Sequence, residues 1–181
     1  MLYIHTALKP EAQAFIDRYK LNKKKFDKFI FYTNGDISVI VSGVGIERTE
    51  TALKTLAKHF SFTSEDIFIN VGICGASHKY NIGELIEIAS IKYNNRTYSF
   101  KHHVNTSITC VDTPQSIFEH EIVDMESFGF YNILKDITKQ IYIFKVVSDH
   151  FEPHKVNKEA TKKLIFNAID DINHIIKKGS S

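Results

Sequence analysis

Two short runs, D-I-F-I-N-V at 66–71 and I-Y-I-F-K-V-V-S at 141–148, are apolar at almost every position. A strand with one wet face alternates between apolar and polar residues, so runs without that alternation belong inside a sheet covered on both faces. Helical patterns lie between the β-rich runs. The order of elements therefore predicts an α/β protein with a mixed, largely parallel sheet, whose functional loops gather at the carboxyl ends of the strands.

The remaining elements follow from local chemistry. Leu2–Thr6 reads as a strand and Glu11–Tyr19 as a helix, with Pro10 suited to its first turn. Ile30–Tyr32 and Ile37–Ser42 flank Asn34-Gly35, a dipeptide that accepts the positive φ of a hairpin turn. Gly43 and Gly45 open a helix to about His59, with Ile46, Leu53, Leu56, Ala57 and Phe60 at helical spacing.

The strand at 66–71 is expected to stop at Val71, where Gly72 and Gly75 suggest a loop that approaches something closely. Leu85–Ala89, Ser107–Val111 and Ile122–Met125 read as further strands, and the segment from Tyr93 to His103 as polar and irregular. Helices are expected over Ser127–Ile137 and Lys158–Lys178.

At 181 residues with 43% hydrophobic side chains, the chain can bury a substantial core as one domain, 1–178, followed by a tail, 179–181. The net charge of +2 is small. Lys23-Lys24-Lys25 and Lys177-Lys178 read as solvated surface rather than a nucleic-acid footprint, because no aromatic-rich basic stripe accompanies them. Two isolated cysteines, Cys74 and Cys110, build neither a disulfide framework nor a four-ligand zinc site, which fits a reducing cytoplasm. No apolar run is long enough to span a bilayer, and the first residues lack a signal core. A soluble cytoplasmic protein without membrane or nucleic-acid partners is expected.

Charge in an apolar setting points to chemistry. The stretch E-I-V-D-M-E-S-F-G-F at 121–130 places Asp124 and Glu126 among core-like residues. Three other groups stand at strand ends: Glu11, the segment N-V-G-I-C-G-A at 70–76, and Ser148-Asp149. Each has an ordinary reading: Glu11 as a first-turn helix acid, Asp149 or Asp124 as a cap, Met125 as core, the glycines as a tight turn. His102-His103 and the pair His150 and His154 are the candidate metal ligands, but Pro153 argues against a shared helix face for the latter two.

Taken in order, I-H-T-A-L-K-P-E-A, V-S-G-V-G-I-E-R-T, I-F-I-N-V-G-I-C-G-A, Y-N-I-G-E-L-I-E-I, V-D-M-E-S and F-K-V-V-S-D run from end to end of the chain. The set resembles the nucleoside phosphorylase and nucleosidase family, and within it most of all the methylthioadenosine/S-adenosylhomocysteine nucleosidases. The resemblance implies a three-layer fold with a central mixed sheet flanked by helices. It also implies hydrolysis of the N-glycosidic bond of a purine nucleoside or a 5'-modified adenosine, with no cofactor or metal, by a homo-oligomer, a dimer in preference.

By the same resemblance, Glu11 matches the last acid of the family's A-M-E-E-E pattern and would activate water, while Asp149 would assist departure of the base. Glu126 would accept hydrogen bonds from the ribose hydroxyls and Met125 would pack on the sugar. Cys74, Gly75 and Ser148 would complete the substrate-binding set. The bond breaks through a cation-like sugar while negative charge gathers on the base, so one group must donate and another must hold water.

Three departures matter. Asn70 and Ile73 stand where phosphorylases of the family carry a phosphate-binding arginine and serine, which favours water over phosphate as nucleophile. Ile73 also replaces a serine of the nucleosidases. The interval between the strand near Ile88 and D-M-E is compressed, and no aromatic falls at the base-stacking position near 111–114; Phe118 and Phe151 are the nearby candidates. The rival readings are a nucleoside-binding protein without turnover, and a phosphorylase using Arg48 or Lys145 for phosphate.

Overall fold

The computed structural model describes residues 1–100, 104–116 and 119–179. Eleven strands form one mixed sheet among the described residues. In chain order they are β1 (Leu2–Thr6), β2 (Asn22–Phe26), β3 (Phe29–Thr33), β4 (Ile37–Val41), β5 (Ile67–Ala76) and β6 (Leu85–Ile88), then β7 (Ser90–Tyr93), β8 (Arg96–Ser99), β9 (Ser107–Cys110), β10 (Ile122–Asp124) and β11 (Ile141–Asp149). Four helices accompany them: α1 (Lys9–Tyr19), α2 (Ile46–His59), α3 (Ser127–Leu134) and α4 (Lys158–Gly179).

The two runs without alternation are indeed clad on both faces. On β11, Tyr142, Phe144 and Val146 join Ile69 and Val71 of β5 beneath α1 and α4, whose Phe15, Ile165, Ile169 and Ile172 fill that layer. Ile141, Ile143 and Val147 point the other way, with Phe68, toward Leu53 and Leu56 of α2 and Phe130 and Leu134 of α3. Helices on both faces of a mixed sheet give the three-layer α/β arrangement.

β5 is the hinge of the sheet. Along one edge it pairs with β11 in parallel over Phe68–Gly75. Its other edge has two successive neighbours: parallel β1, from Ile67 to Asn70, and antiparallel β10, at Gly75 and Ala76. Residues 71–74 of that edge lie between them with no strand partner, and a gap opens there between the ends of β1 and β10.

Several expectations change. β5 runs through the segment read as a loop and ends at Ala76 rather than Val71. Its glycines serve close approach within a strand, not a turn: a Cβ on Gly72 would lie 3.1 Å from Glu11 Oε1 and 3.5 Å from Lys145 Nζ. The segment from Tyr93 onward is not irregular, because Asn94 and Asn95, both at positive φ, turn β7 into β8. The lysine run Lys23–Lys25 is exposed, as read, but lies on a strand, β2. Helix α3 stops at Leu134, three residues earlier than expected, in a turn closed by Ile137 N–H to the Leu134 carbonyl. No helix among the described residues is long and apolar enough to cross a membrane.

Candidate active site

The gap on the β5 edge opens into a cavity of about 250 Å³. Glu11, Cys74, Gly75, Met125, Glu126, Ser148 and Asp149 all line it. The structure thus brings together the seven residues named in the sequence for catalysis and substrate binding.

Glu11 stands in the first turn of α1 and is 2% exposed. Its Oε2 accepts from the Leu8 N–H at 2.8 Å and the Ala7 N–H at 3.1 Å. The reach back to Leu8, the residue before the helix, is half of a capping box, so the ordinary reading of Glu11 as a first-turn acid holds as well. Its Oε1 accepts from the Ile73 N–H at 3.0 Å, one of the amides that the gap leaves without a strand partner. A carboxylate offers about four acceptor positions, and three are taken. Burial pushes the Glu11 pKa up, while the three amides and the Lys145 charge pull it back.

Asp124 and Glu126 part company in their roles. Asp124 Oδ2 meets Lys145 Nζ at 2.7 Å, both side chains sealed from solvent, and accepts the Ser127 N–H at 2.9 Å. Its Oδ1 accepts from the Ser127 hydroxyl at 2.6 Å. Asp124 therefore fixes the start of α3. Burial works against the Lys145 charge, but Asp124, with Glu126 and Glu11 beyond it, holds the Lys145 pKa above its usual value.

The Glu126 carboxylate takes a single bond among the described residues, to Oε1 from the Gly45 N–H at 3.0 Å. Burial, reinforced by the Asp124 charge, pushes its pKa up to about 7. The close approach of α3 to the start of α2 depends on Gly129, whose Cβ would fall 2.7 Å from the Ile46 carbonyl oxygen.

Ser148 and Asp149 end β11 at an irregularity: Val147 pairs with Cys74 and Asp149 with Gly75, leaving Ser148 as the extra residue. Such a bulge re-aims side chains, and here both Ser148 and Asp149 reach the cavity. The Ser148 hydroxyl lies 2.7 Å from Asp149 Oδ2 and 3.1 Å from the Cys74 carbonyl, and the Glu152 N–H donates to Asp149 Oδ1 at 2.8 Å. Gly75 leaves room beside this carboxylate, since a Cβ there would lie 3.6 Å from Asp149 Oδ1. The Cys74 thiol is held protonated by burial, its pKa well above the ordinary range.

Other candidates fall elsewhere. Phe151 is buried but is not among the residues lining the cavity. Lys145 is bound to Asp124, which removes it as a free phosphate ligand, and Arg48 lies on a separate groove with Lys9 and Lys28. Asn70 is buried against His5. His150 Nδ1 is 2.9 Å from the Ala76 carbonyl, His154 sits in a single 3-10 turn, and no group of three metal-binding side chains gathers among the described residues. His102, His103 and Phe118 lie outside the described residues.

Sequence reasoning did not single out Gln115, which lines the cavity from the segment after β9. Its Nε2 donates to the Thr113 carbonyl at 3.3 Å, which leaves Oε1 as an acceptor. A lone amide in a polar loop carries no sequence signal of this kind. Val44, Val111, Pro114 and Val156 supply apolar wall.

No family model matches the sequence, and no curated protein matches it either. Solved structures do. A 5'-methylthioadenosine/S-adenosylhomocysteine nucleosidase from S. pneumoniae, bound to a transition-state inhibitor, superposes with a TM-score of 0.80 at 13% identity, covering 97% of this chain and 98% of the other. The nucleosidase of Colwellia psychrerythraea in complex with adenine gives 0.70 at 14% identity, over 92% and 93% of the two chains. Futalosine hydrolase of Helicobacter pylori gives 0.77 at 10% identity, over 98% and 97%. At such identities the shared property is the fold, and this chain has it.

Proposed function

We propose that the chain is a nucleosidase, hydrolysing the N-glycosidic bond of a purine nucleoside or a 5'-modified adenosine. The observation that carries this reading is the meeting of Glu11, Glu126 and Asp149 on one cavity at the carboxyl ends of the strands. Nucleosidases of the same fold lend it support.

In this reading the remaining acceptor position on Glu11 holds the attacking water. As the water oxygen bonds to the sugar C1′, its proton passes to Glu11, for which a raised pKa suits a general base. The bond from C1′ to the base breaks with its electron pair leaving on the base, and Asp149 supplies a proton or hydrogen bond to a ring nitrogen. Glu126 accepts from the ribose hydroxyls and offsets positive charge on the sugar. Engagement of Lys145 by Asp124 and of Asn70 by His5 leaves neither for a phosphate, which supports water as the nucleophile. The acceptor on Gln115 suits the 6-amino group of an adenine. A homodimeric, cytoplasmic enzyme belongs to the same proposal, with sedimentation of the purified chain as its measurement.

A binding protein without turnover is the second reading. Ile73 favours it, since its side chain lines the wall beside Glu11 where the nucleosidase pattern has serine.

Incubation with methylthioadenosine, S-adenosylhomocysteine, adenosine, inosine and futalosine, with and without phosphate, tests both. Phosphate-independent release of free base, lost in Asp149→Asn, is expected. Thermal stabilisation by a nucleoside with no base released would select the binding reading, and ribose 1-phosphate as product would replace hydrolysis with phosphorolysis.

A further inference from the structure

Behind the cavity lies a chain of buried polar side chains that the proposed chemistry does not use. His5 on β1 and Asn70 on β5 are each 1% exposed, and Ser42, just after β4, is 7% exposed. Three polar groups at the centre of a sheet need a reason, because each costs desolvation unless its bonds are made.

Their bonds run in one direction. Asn70 Nδ2 lies 2.8 Å from His5 Nδ1; with the amide placed so, Nδ2 donates and Nδ1 accepts, and the buried Asn70 Oδ1 has no partner among the described residues. The neutral ring then carries its proton on Nε2 and gives it to Ser42 Oγ at 2.8 Å. The Ser42 hydroxyl proton is left for the Gly43 carbonyl at 2.7 Å. Burial, with the Lys145 charge adding to it, holds the His5 pKa down to about 3, so the ring stays neutral and the direction persists across physiological pH.

The chain ends on the loop that serves both carboxylates. Gly43 N–H donates to the Ala7 carbonyl at 3.0 Å, and Ala7 N–H donates to Glu11. Two residues on, Gly45 N–H holds Glu126. Gly43 and Gly45 both adopt positive φ, 86° and 107°, and neither carries a Cβ to stiffen this segment. Pinning the Gly43 carbonyl fixes the plane of the Gly43–Val44 peptide, which adjoins the peptide that carries the Gly45 N–H.

We infer that His5 and Ser42 are positioning residues: the buried chain from Asn70 through His5 to Ser42 orients the Gly43–Gly45 loop, and the Gly45 N–H in turn orients Glu126 for the ribose diol. This rests on the nucleosidase reading for its enzymatic consequence, but its structural part stands alone.

The test uses Ser42→Ala, which deletes one oxygen, His5→Leu, which removes the donor, and His5→Gln, whose amide can still donate to Ser42. Amide exchange of Gly45 is measured first, without any substrate. Loss of one hydrogen bond predicts exchange about tenfold faster in Ser42→Ala and His5→Leu, unchanged core amides, and near-normal exchange in His5→Gln. If the enzyme releases base, KM rises about tenfold with kcat nearly constant, and the acid limb of the kcat/KM profile moves to higher pH as Glu126 loses its donor.

Gly45 exchange equal to wild type in Ser42→Ala overturns the inference whatever the activity. A fall in Tm with KM and pH profile unmoved reduces the chain to a structural one and overturns it too. Faster Gly45 exchange in Ser42→Ala, beside a wild-type protein that releases no base, would sustain the positioning role and sink the nucleosidase reading.

Discussion

Lys145 Nζ stands 2.7 Å from Asp124 Oδ2, and neither side chain meets solvent. Around this one ammonium are three carboxylates, Asp124, Glu126 and Glu11, all acting on its charge. One cation cannot neutralise three buried anions. Burial raises the pKa of both glutamates, that of Glu126 to about 7 with the Asp124 charge adding to it.

Lys145→Met leaves Asp124 as an uncompensated buried charge, which costs about 3–5 kcal/mol. For a chain of this size each kcal/mol lowers Tm by roughly 2–4 °C. The double variant Lys145→Met, Asp124→Asn recovers much of that loss. Calorimetric melting of the three proteins checks it; a single variant melting within a degree or two of wild type would contradict the ion pair's role.

Glu126 couples ligand affinity to pH. Its folded pKa lies above the ordinary 4.5, so between those values the folded protein binds more protons than the unfolded chain. Its contribution to stability is therefore full below the ordinary value and is lost as pH rises through about 7. A ribose diol donates to the ionised form, so nucleoside binding has the opposite trend: affinity rises from about pH 6 to pH 8 with uptake of a proton by the buffer. Calorimetric titration in buffers of different ionisation enthalpy reads that proton directly, and its absence would remove Glu126 from the diol.

Gly72→Ala separates activity from stability. The new Cβ would press on Glu11 Oε1 from 3.1 Å, and Glu11 has three amide bonds to lose by moving. We expect base release to fall roughly 10–100-fold, the scale of a misplaced catalytic group, with a stability change of about 1 kcal/mol. Base release kept at the wild-type rate beside a stability loss of that size would mean that Glu11 is only a helix cap.

Gln115 predicts the base. With Nε2 given to the Thr113 carbonyl, Oε1 meets a 6-amino group as acceptor to donor but a 6-oxo group as acceptor to acceptor. Adenosine is expected to be preferred over inosine, and Gln115→Leu to narrow that preference about tenfold, the worth of one hydrogen bond. Competition between the two nucleosides measures the ratio; no change in the variant would show that the segment after β9 does not touch the base.

The core layers were legible because β5 and β11 carry no polar register, and apolar runs of that kind have one stable place in a sheet. The carboxylates were legible for the opposite reason, as charges in apolar company. What escaped was context. Gly72 and Gly75 carry the composition of a loop, and only the crowding of Glu11, Lys145 and Asp149 shows that a strand needs them. Asn94-Asn95 lacks the glycine of the usual hairpin turn, although both residues tolerate the left-handed region. The roles of His5 and Ser42 depend on strand neighbours far apart in the chain, which no local pattern records.

Among the described residues β2 is the last strand of the sheet on its side, paired to β3 and presenting a row of peptide groups outward without a strand partner. Such a row is a template on which another chain could grow. Here it is written as N-K-K-K-F, with all three lysines exposed. A second copy approaching edge to edge would bring six ammonium groups into register before gaining its first hydrogen bond. The lysines thus act as a terminator for the sheet, keeping a surface well suited to fibril growth from being used for it.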